Sequence, residues 1–140
     1  MSQENVEMVE GILAGVANFD RRAFLAAVPD LIAQLADPDV EWVEAPQNVD
    51  GRVYRGHEGV RQSLERWLEQ WEEFGYEAER FVDCGDDVLV VGRERGRGLA
   101  SGASVTSRHY SIWTIRAGKI ARYREFYDED AALKAARLTD

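Results

Sequence analysis

Apolar residues in the first third of the chain recur at helical spacing. From Ser2 to Asn18 they fall at Val6, Val9, Ile12, Leu13 and Val16, with Phe19 just beyond, and Ser2 stands where an N-cap belongs. Residues 20–36 continue as helix in two pieces separated at Pro29. Asp20 caps the first piece, with Phe24, Leu25 and Val28 inward, and Pro29-Asp30 opens a second carrying Leu31, Ile32 and Leu35. Asp37-Pro38-Asp39 ends the helical region, because the residue before a proline avoids the helical conformation.

The period then changes to two. Val40, Trp42 and Glu44 alternate with Glu41 and Val43 in a short strand; Asn48 to Gly51 form a turn, and Val53-Tyr54-Arg55 a brief extended piece. Gly56 precedes an amphipathic helix expected over His57–Phe74, with Val60, Leu64, Trp67, Leu68 and Trp71 as its stripe and Gly75 as its stop. Strands follow over Tyr76–Asp83, Val88–Arg97, Val105–Arg116 and Lys119–Tyr127, with a tight turn at Ala117-Gly118. Asp128 caps a last helix, Glu129 to Leu138. Helices first and an antiparallel meander second define an α+β domain, with helices gathered on one face of the sheet.

Alternation along the strands decides which face lies inside. Arg93, Arg95 and Arg97 share one parity, as do Arg108 and Arg116, and Arg122 and Arg124. So many arginines cannot sit unpaired in a small core, so this face points away from the helices. The opposite parity carries Val88, Val90, Gly92 and Glu94; Val105, Ser107, His109, Ser111 and Trp113; and Ala121, Tyr123, Glu125 and Tyr127. Three adjacent strands therefore each place one ionisable group, Glu94, His109 or Glu125, on an otherwise apolar face. Such groups are costly there unless they are paired, hydrated or lining a cavity.

Composition narrows the picture. The chain has 140 residues, the size of a single domain spanning 1–140, and 45% hydrophobic residues, enough for a core without covalent staples. Cys84 is the one cysteine and the histidines number two, so neither a disulfide nor a thiolate-rich zinc site can form; no metal and no cofactor is expected. Cys84 sits among aspartates, which disfavour a thiolate nucleophile, and His57 reads as an exposed residue at a helix start. The net charge of −9 excludes nucleic acid and anionic membrane surfaces as partners. The opening MSQENVEMVEG has neither a basic nor an apolar region of the signal-peptide kind, and no apolar run is long enough for a membrane span, so a cytoplasmic location is expected.

The stretches DPDVEWVEAP, VYRGHEGVRQSL, LVVGRERGRG and IWTIRAGKIARYREFYD, together with the first helix, resemble the SnoaL-like branch of the nuclear transport factor 2-like superfamily. The resemblance implies a cone-shaped α+β barrel: a curved antiparallel sheet packed on the N-terminal helices and one long helix, enclosing a pocket. It implies isomerase, cyclase, dehydratase or hydrolase chemistry, since the superfamily hosts all of these and non-catalytic members too. Against limonene epoxide hydrolase, Glu125 in YREFYD resembles the base and Glu94 in GRERG the acid, whereas Gly92 falls where an arginine is found, and Trp42 and Glu44 fall where a tyrosine and an asparagine help hold a water. Ketosteroid isomerases and scytalone dehydratases resemble the chain more loosely, the latter through His109.

The expected site thus has Glu125 as general base, Glu94 as protonated acid and His109 as proton shuttle, with Tyr123 or Tyr127 steadying an oxyanion. Trp42, Glu44, Trp67, Trp71, Ser107, Ser111, Tyr123 and Tyr127 would contact a small apolar molecule, and Tyr76 is a further aromatic that could line its pocket. Two other readings stay open, a binding domain for an apolar metabolite and a structural dimer with a vestigial pocket. The outer face reads either as a solvated face with cross-strand partners such as Glu77 and Glu79 or, as the resemblance favours, as a homodimer interface with Tyr110, Ile112 and Phe126 as anchors among the arginines.

Overall fold

The computed structural model describes residues 2–14, 21–45, 52–98 and 101–137. Two N-terminal helices, α1 (Ser2–Ala14) and α2 (Arg21–Leu35), lead into strands β1 (Ala36–Val43) and β2 (Val53–Arg55). Helix α3 (Gly56–Leu68) follows, then the meander β3 (Trp71–Cys84), β4 (Asp87–Gly98), β5 (Ser104–Arg116) and β6 (Lys119–Phe126), and finally α4 (Glu129–Ala135). The expected cap at Asp20, the end of the first helix beyond Ala14, and the turn at Asn48 to Gly51 lie outside the described residues.

The six strands form one curved, unclosed sheet in the order β2-β1-β6-β5-β4-β3. The meander pairs are antiparallel, and β1 joins β6 in parallel, with Trp42 beside Tyr123. The parallel ladder is interrupted between Ala36 and Glu41, where Pro38 has no N–H to donate. Helices α1, α2 and α3 cover the concave face. Their side chains Val9, Ile12, Val28, Ile32 and Val60 meet Val40, Trp42, Val88, Val90, Trp113 and Tyr123 from the sheet. Each fully buried side chain of this size stabilises the fold by about 1.5–3 kcal/mol.

The structure corrects several expectations. Helix α2 runs unbroken through Pro29. Phe24, Val28 and Ile32 pack on the core from both sides of the proline, and that burial outweighs the one lost backbone hydrogen bond. Strand β1 begins at Ala36 instead of Val40, because Ala36 pairs with Ile120. Helix α3 ends at Leu68, and Trp71 and Phe74 belong to β3, opposite Gly98 and Gly96; Gly75 lies within the strand, facing Arg95. Ala121, expected inside, sits at a bulge between Thr114 and Ile115, and Ile120 takes the core position.

The outer face is also partly covered. Helix α4, capped by the Asp128 carboxylate accepting from the Asp130 N–H, folds back onto it, so the helices are not all on one side. Leu89, Tyr110 and Ile112 are buried with Ala132 and Ala136, and the Tyr110 hydroxyl donates to Glu129 at 3.1 Å. Tyr110 and Ile112 are therefore not exposed anchors for a partner. The arginines do point outward, Arg93 towards Glu79 at 3.8 Å and Arg124 towards Asp87 at 3.6 Å. Among the described residues, no helix is long and apolar enough to cross a membrane.

Candidate functional site

Strand pairing brings the ionisable residues together. Gly92 lies opposite His109, Glu94 opposite Ser107, and Ser111 opposite Glu125, so Glu94, His109 and Glu125 converge on the concave face. His109 Nε2 is 2.8 Å from Glu125 Oε2 and 3.8 Å from Glu94 Oε2. The Tyr123 hydroxyl donates to the same Glu125 oxygen at 3.1 Å, and the Tyr127 hydroxyl donates to Glu94 Oε1 at 2.6 Å. The result is a continuous polar row, Tyr127–Glu94–His109–Glu125–Tyr123, in an apolar wall. His109 is only 3% exposed and Glu94 8%.

Burial and mutual charge set the protonation of this row. Burial raises the Glu94 carboxyl above the ordinary carboxylate range, and Glu125 pushes the same way, against the lowering by His109 and by the Tyr127 hydrogen bond. Burial alone would lower the His109 imidazole, but the attraction of Glu94 and the hydrogen bond and charge of Glu125 outweigh it, so His109 is raised. Tyr123, Tyr127 and Tyr76 are all pushed upward, first by burial and then by the carboxylates, and stay neutral donors. His109 Nδ1 is buried without a hydrogen-bond partner. An N–H there would be an orphan donor, so the neutral ring carries its proton on Nε2, aimed at Glu125.

The row opens into a cavity of about 100 Å³. Glu94, His109, Ser111, Trp113, Tyr123, Glu125 and Trp42 line its sheet side, and Ile12, Phe24, Ile32, Leu64 and Trp67 its helical side. Trp42 stacks on Tyr123 at 3.9 Å between centroids, and Trp113 stands edge-on to both. The Trp113 indole N–H donates to Ser111 Oγ at 3.0 Å. Of the expected contact residues, Trp42, Trp67, Ser111 and Tyr123 line this cavity. Trp71, Ser107 and Tyr127 do not; they line an adjoining space of about 170 Å³.

Glu44 lines neither space. It accepts from the Ser63 hydroxyl at 3.0 Å and is raised by burial. His57 is exposed, with Nε2 3.1 Å from the Ala36 carbonyl oxygen. Cys84 is partly buried, and its thiol is raised by burial and by Asp87 and Asp83, away from nucleophile character.

Tyr76, counted from the sequence only as one of the aromatics that could line the pocket, is in the cavity wall. Its ring lies against Gly92, where any Cβ would collide with the hydroxyl and would come within 2.8 Å of Cε1. The place that an arginine side chain would take in the epoxide hydrolase pattern is thus filled by a phenol from the neighbouring strand. The Tyr76 hydroxyl faces Ser111 without forming a hydrogen bond of good geometry. The sequence signal for its close contact was Gly92: a glycine inside a strand marks a close approach.

The ligand atoms of Glu94, His109 and Glu125 lie within 4.8 Å of one another, a spacing that a divalent cation could bridge. The donor set fits poorly. Coordination through Nε2 would force the proton to Nδ1, which is buried with no acceptor, whereas metal-bound histidines almost always donate from the other nitrogen.

A helix-covered, unclosed α+β sheet of this strand order, with a buried row of carboxylates, imidazole and phenols in its concave wall, has the nuclear transport factor 2-like fold. The model of the SnoaL-like domain matches residues 16–123, and the chain belongs to the SnoaL-like family. Among solved structures, an NTF2-like protein of Burkholderia thailandensis is 26% identical with a TM-score of 0.74, covering 94% of this chain and 95% of its own. TerC, co-crystallised with polyporic acid, is 24% identical with a TM-score of 0.71 over 95% of this chain and 98% of its own. A protein of ketosteroid isomerase-like fold from Catenulispora acidiphila, in complex with trimethylamine, is 16% identical with a TM-score of 0.69 over 95% and 94%. No curated protein sequence matches the chain.

Proposed function

We propose that the chain is a cofactor-free acid–base catalyst acting on a small, mostly apolar molecule, by isomerisation, cyclisation, dehydration or hydrolysis. The observation that carries this reading is the arrangement of Glu125. Both of its hydrogen bonds, from His109 and Tyr123, fall on Oε2, which leaves Oε1 to act on a ligand in the cavity. A carboxylate held on one side and open on the other is a positioned general base.

In the step proposed, Glu125 Oε1 takes a proton from an acidic carbon or a water of the bound molecule. His109 holds Oε2 and keeps the carboxylate aligned. Glu94, which burial favours in its proton-carrying form, donates to the oxygen where negative charge develops. Tyr123 and Tyr127 already donate to the two carboxylates, so Tyr76 is the better phenol to steady that oxygen. TerC with polyporic acid and the Catenulispora protein with trimethylamine support a small-molecule pocket in this fold.

The test is proton exchange in deuterated water over a panel of ketones and lactones, with NMR titration of the site. Glu125→Gln is expected to lower exchange by at least about a hundredfold and to lower the His109 pKa, since the imidazole loses an attractive charge and an acceptor. Unchanged exchange on a substrate of the wild type would sink the assignment of the base.

We also propose a homodimer through the outer face. A groove of about 620 Å³ remains beside α4, with Val82, Leu89, Val91 and Leu133 inside and Glu79, Arg80, Arg108 and Glu129 at its margin. Both signs of charge on one margin let the surface meet its own copy about a two-fold axis. Sedimentation should show a dimer that Arg108→Glu weakens; a wild-type monomer at high concentration would refute it.

A further inference from the structure

The cavity at the acid–base row holds only about 100 Å³, less than the usual 300–1,000 Å³ of a small-molecule site. The adjoining space of about 170 Å³ is walled mainly by Trp67, Trp71, Phe74, Val105 and Tyr127, with Glu94, Arg95 and Ser107 also on its lining. The two spaces share Trp67, Phe74 and Glu94. Glu94 reaches into both: one oxygen accepts from Tyr127 in the second space, and the other faces His109 in the first. Trp67 and Phe74, which line both spaces, meet edge to face at 5.9 Å.

The second space has features of a ligand surface. Trp71 lies 5.5 Å from Trp67 and 6.0 Å from Phe74, with rings tilted by 56° and 44°, so the three rings form a corner and not a stack. A corner presents ring faces and edges to a flat guest. Val105 at its margin is 45% exposed, one of two large apolar side chains so exposed among the described residues. A guest in the corner would cover it. An apolar space also lacks dispersion partners in proportion to its volume, which favours filling.

We propose that the second space is a subsite for a flat, uncharged, aromatic arm of the ligand whose reacting end sits at Glu125. The substrate class is thus a two-part molecule: a small oxygen-bearing ring or chain at the acid–base row, joined to an aryl group held by Trp67, Trp71 and Phe74. The joint passes Glu94. This rests on the reading of the first cavity as the reaction site, but the subsite stands or falls on binding alone.

The experiment compares phenol with 4-phenylphenol, binding by calorimetry and by the indole N–H signals of the four tryptophans, each assigned by substitution with phenylalanine. Phenol fits the first cavity; the second ring of 4-phenylphenol needs the second. The wild type is expected to bind 4-phenylphenol at least about tenfold more tightly, as burial of one further ring implies, and the Trp71 signal should move with 4-phenylphenol only. Ser107→Leu, which fills the second space, should bring 4-phenylphenol down to the affinity of phenol. A second, milder variant, Ser107→Val, should remove part of the difference and guards against misfolding of the first. Equal affinity for the two probes, or an unmoved Trp71 signal, overturns the subsite. Normal binding of both probes without Glu125-dependent proton exchange overturns the catalytic reading and leaves the subsite intact.

Discussion

Gly92 and Tyr76 show how much one missing side chain can decide. The phenol occupies the volume that any residue but glycine would claim, and so stands in the same cavity wall as Glu125. Gly92→Ala should lower stability by about 1–3 kcal/mol by overpacking, measured as a lower urea midpoint. In a Tyr76→Ala background the same substitution should cost much less, because the colliding ring is gone; equal costs would mean that the contact is not the cause. The acid–base row was legible in the sequence because parity is rigid: once the arginines fix the outer face, Glu94, His109 and Glu125 can only point inward. Tyr76 could be read only as one possible pocket aromatic among several. Its register depends on an irregularity between Ala78 and Arg80, which no local pattern announces. Nor could spacing show that Tyr123 and Tyr127 spend their hydroxyls on the carboxylates, since that depends on distances across strands.

Among the elements, the boundary between α3 and β3 was the least legible. Trp67 and Trp71 stand four apart, as on one helix face, and yet Trp71 is drawn into pairing with Gly98. Aromatic residues suit both a helix stripe and a strand, and here the tertiary partner decides. The consequence is functional, because Trp71 and Phe74 on a strand build the second space, whereas on a helix they would have extended the core stripe. Helix α4 was legible in its cap but not in its destination. Its seven residues are too few to be stable alone, so it depends on Asp128 and on packing over Leu89 and Ile112. Asp128→Ala should cost about 1 kcal/mol and raise hydrogen exchange in α4 and at Ile112, while the Glu125–His109 pair at the concave face keeps its NMR signature. Undisturbed exchange in α4 would show that packing alone holds it.

For the molecule as a whole, the buried row makes stability depend on pH with a definite sign. Glu94 and His109 both hold their protons more tightly folded than unfolded. The stabilisation from each is complete below its ordinary value, 4.5 for the carboxyl and 6.5 for the imidazole, and is lost as pH rises through the raised folded value. The urea midpoint should therefore fall as pH is raised above 4.5, and Glu94→Gln should flatten the first part of that fall; a rise over the same window would contradict the assignment. The parallel union of β1 with β6 governs how the molecule assembles in time. Trp42 finds its neighbour Tyr123 only across most of the chain, a high-contact-order pairing that forms slowly. The hairpins of the meander have no such delay. During synthesis, β1 emerges early but lacks its sheet neighbour β6 until that strand leaves the ribosome. The cavity, whose walls come from both ends, is then the last part of the protein to come into being.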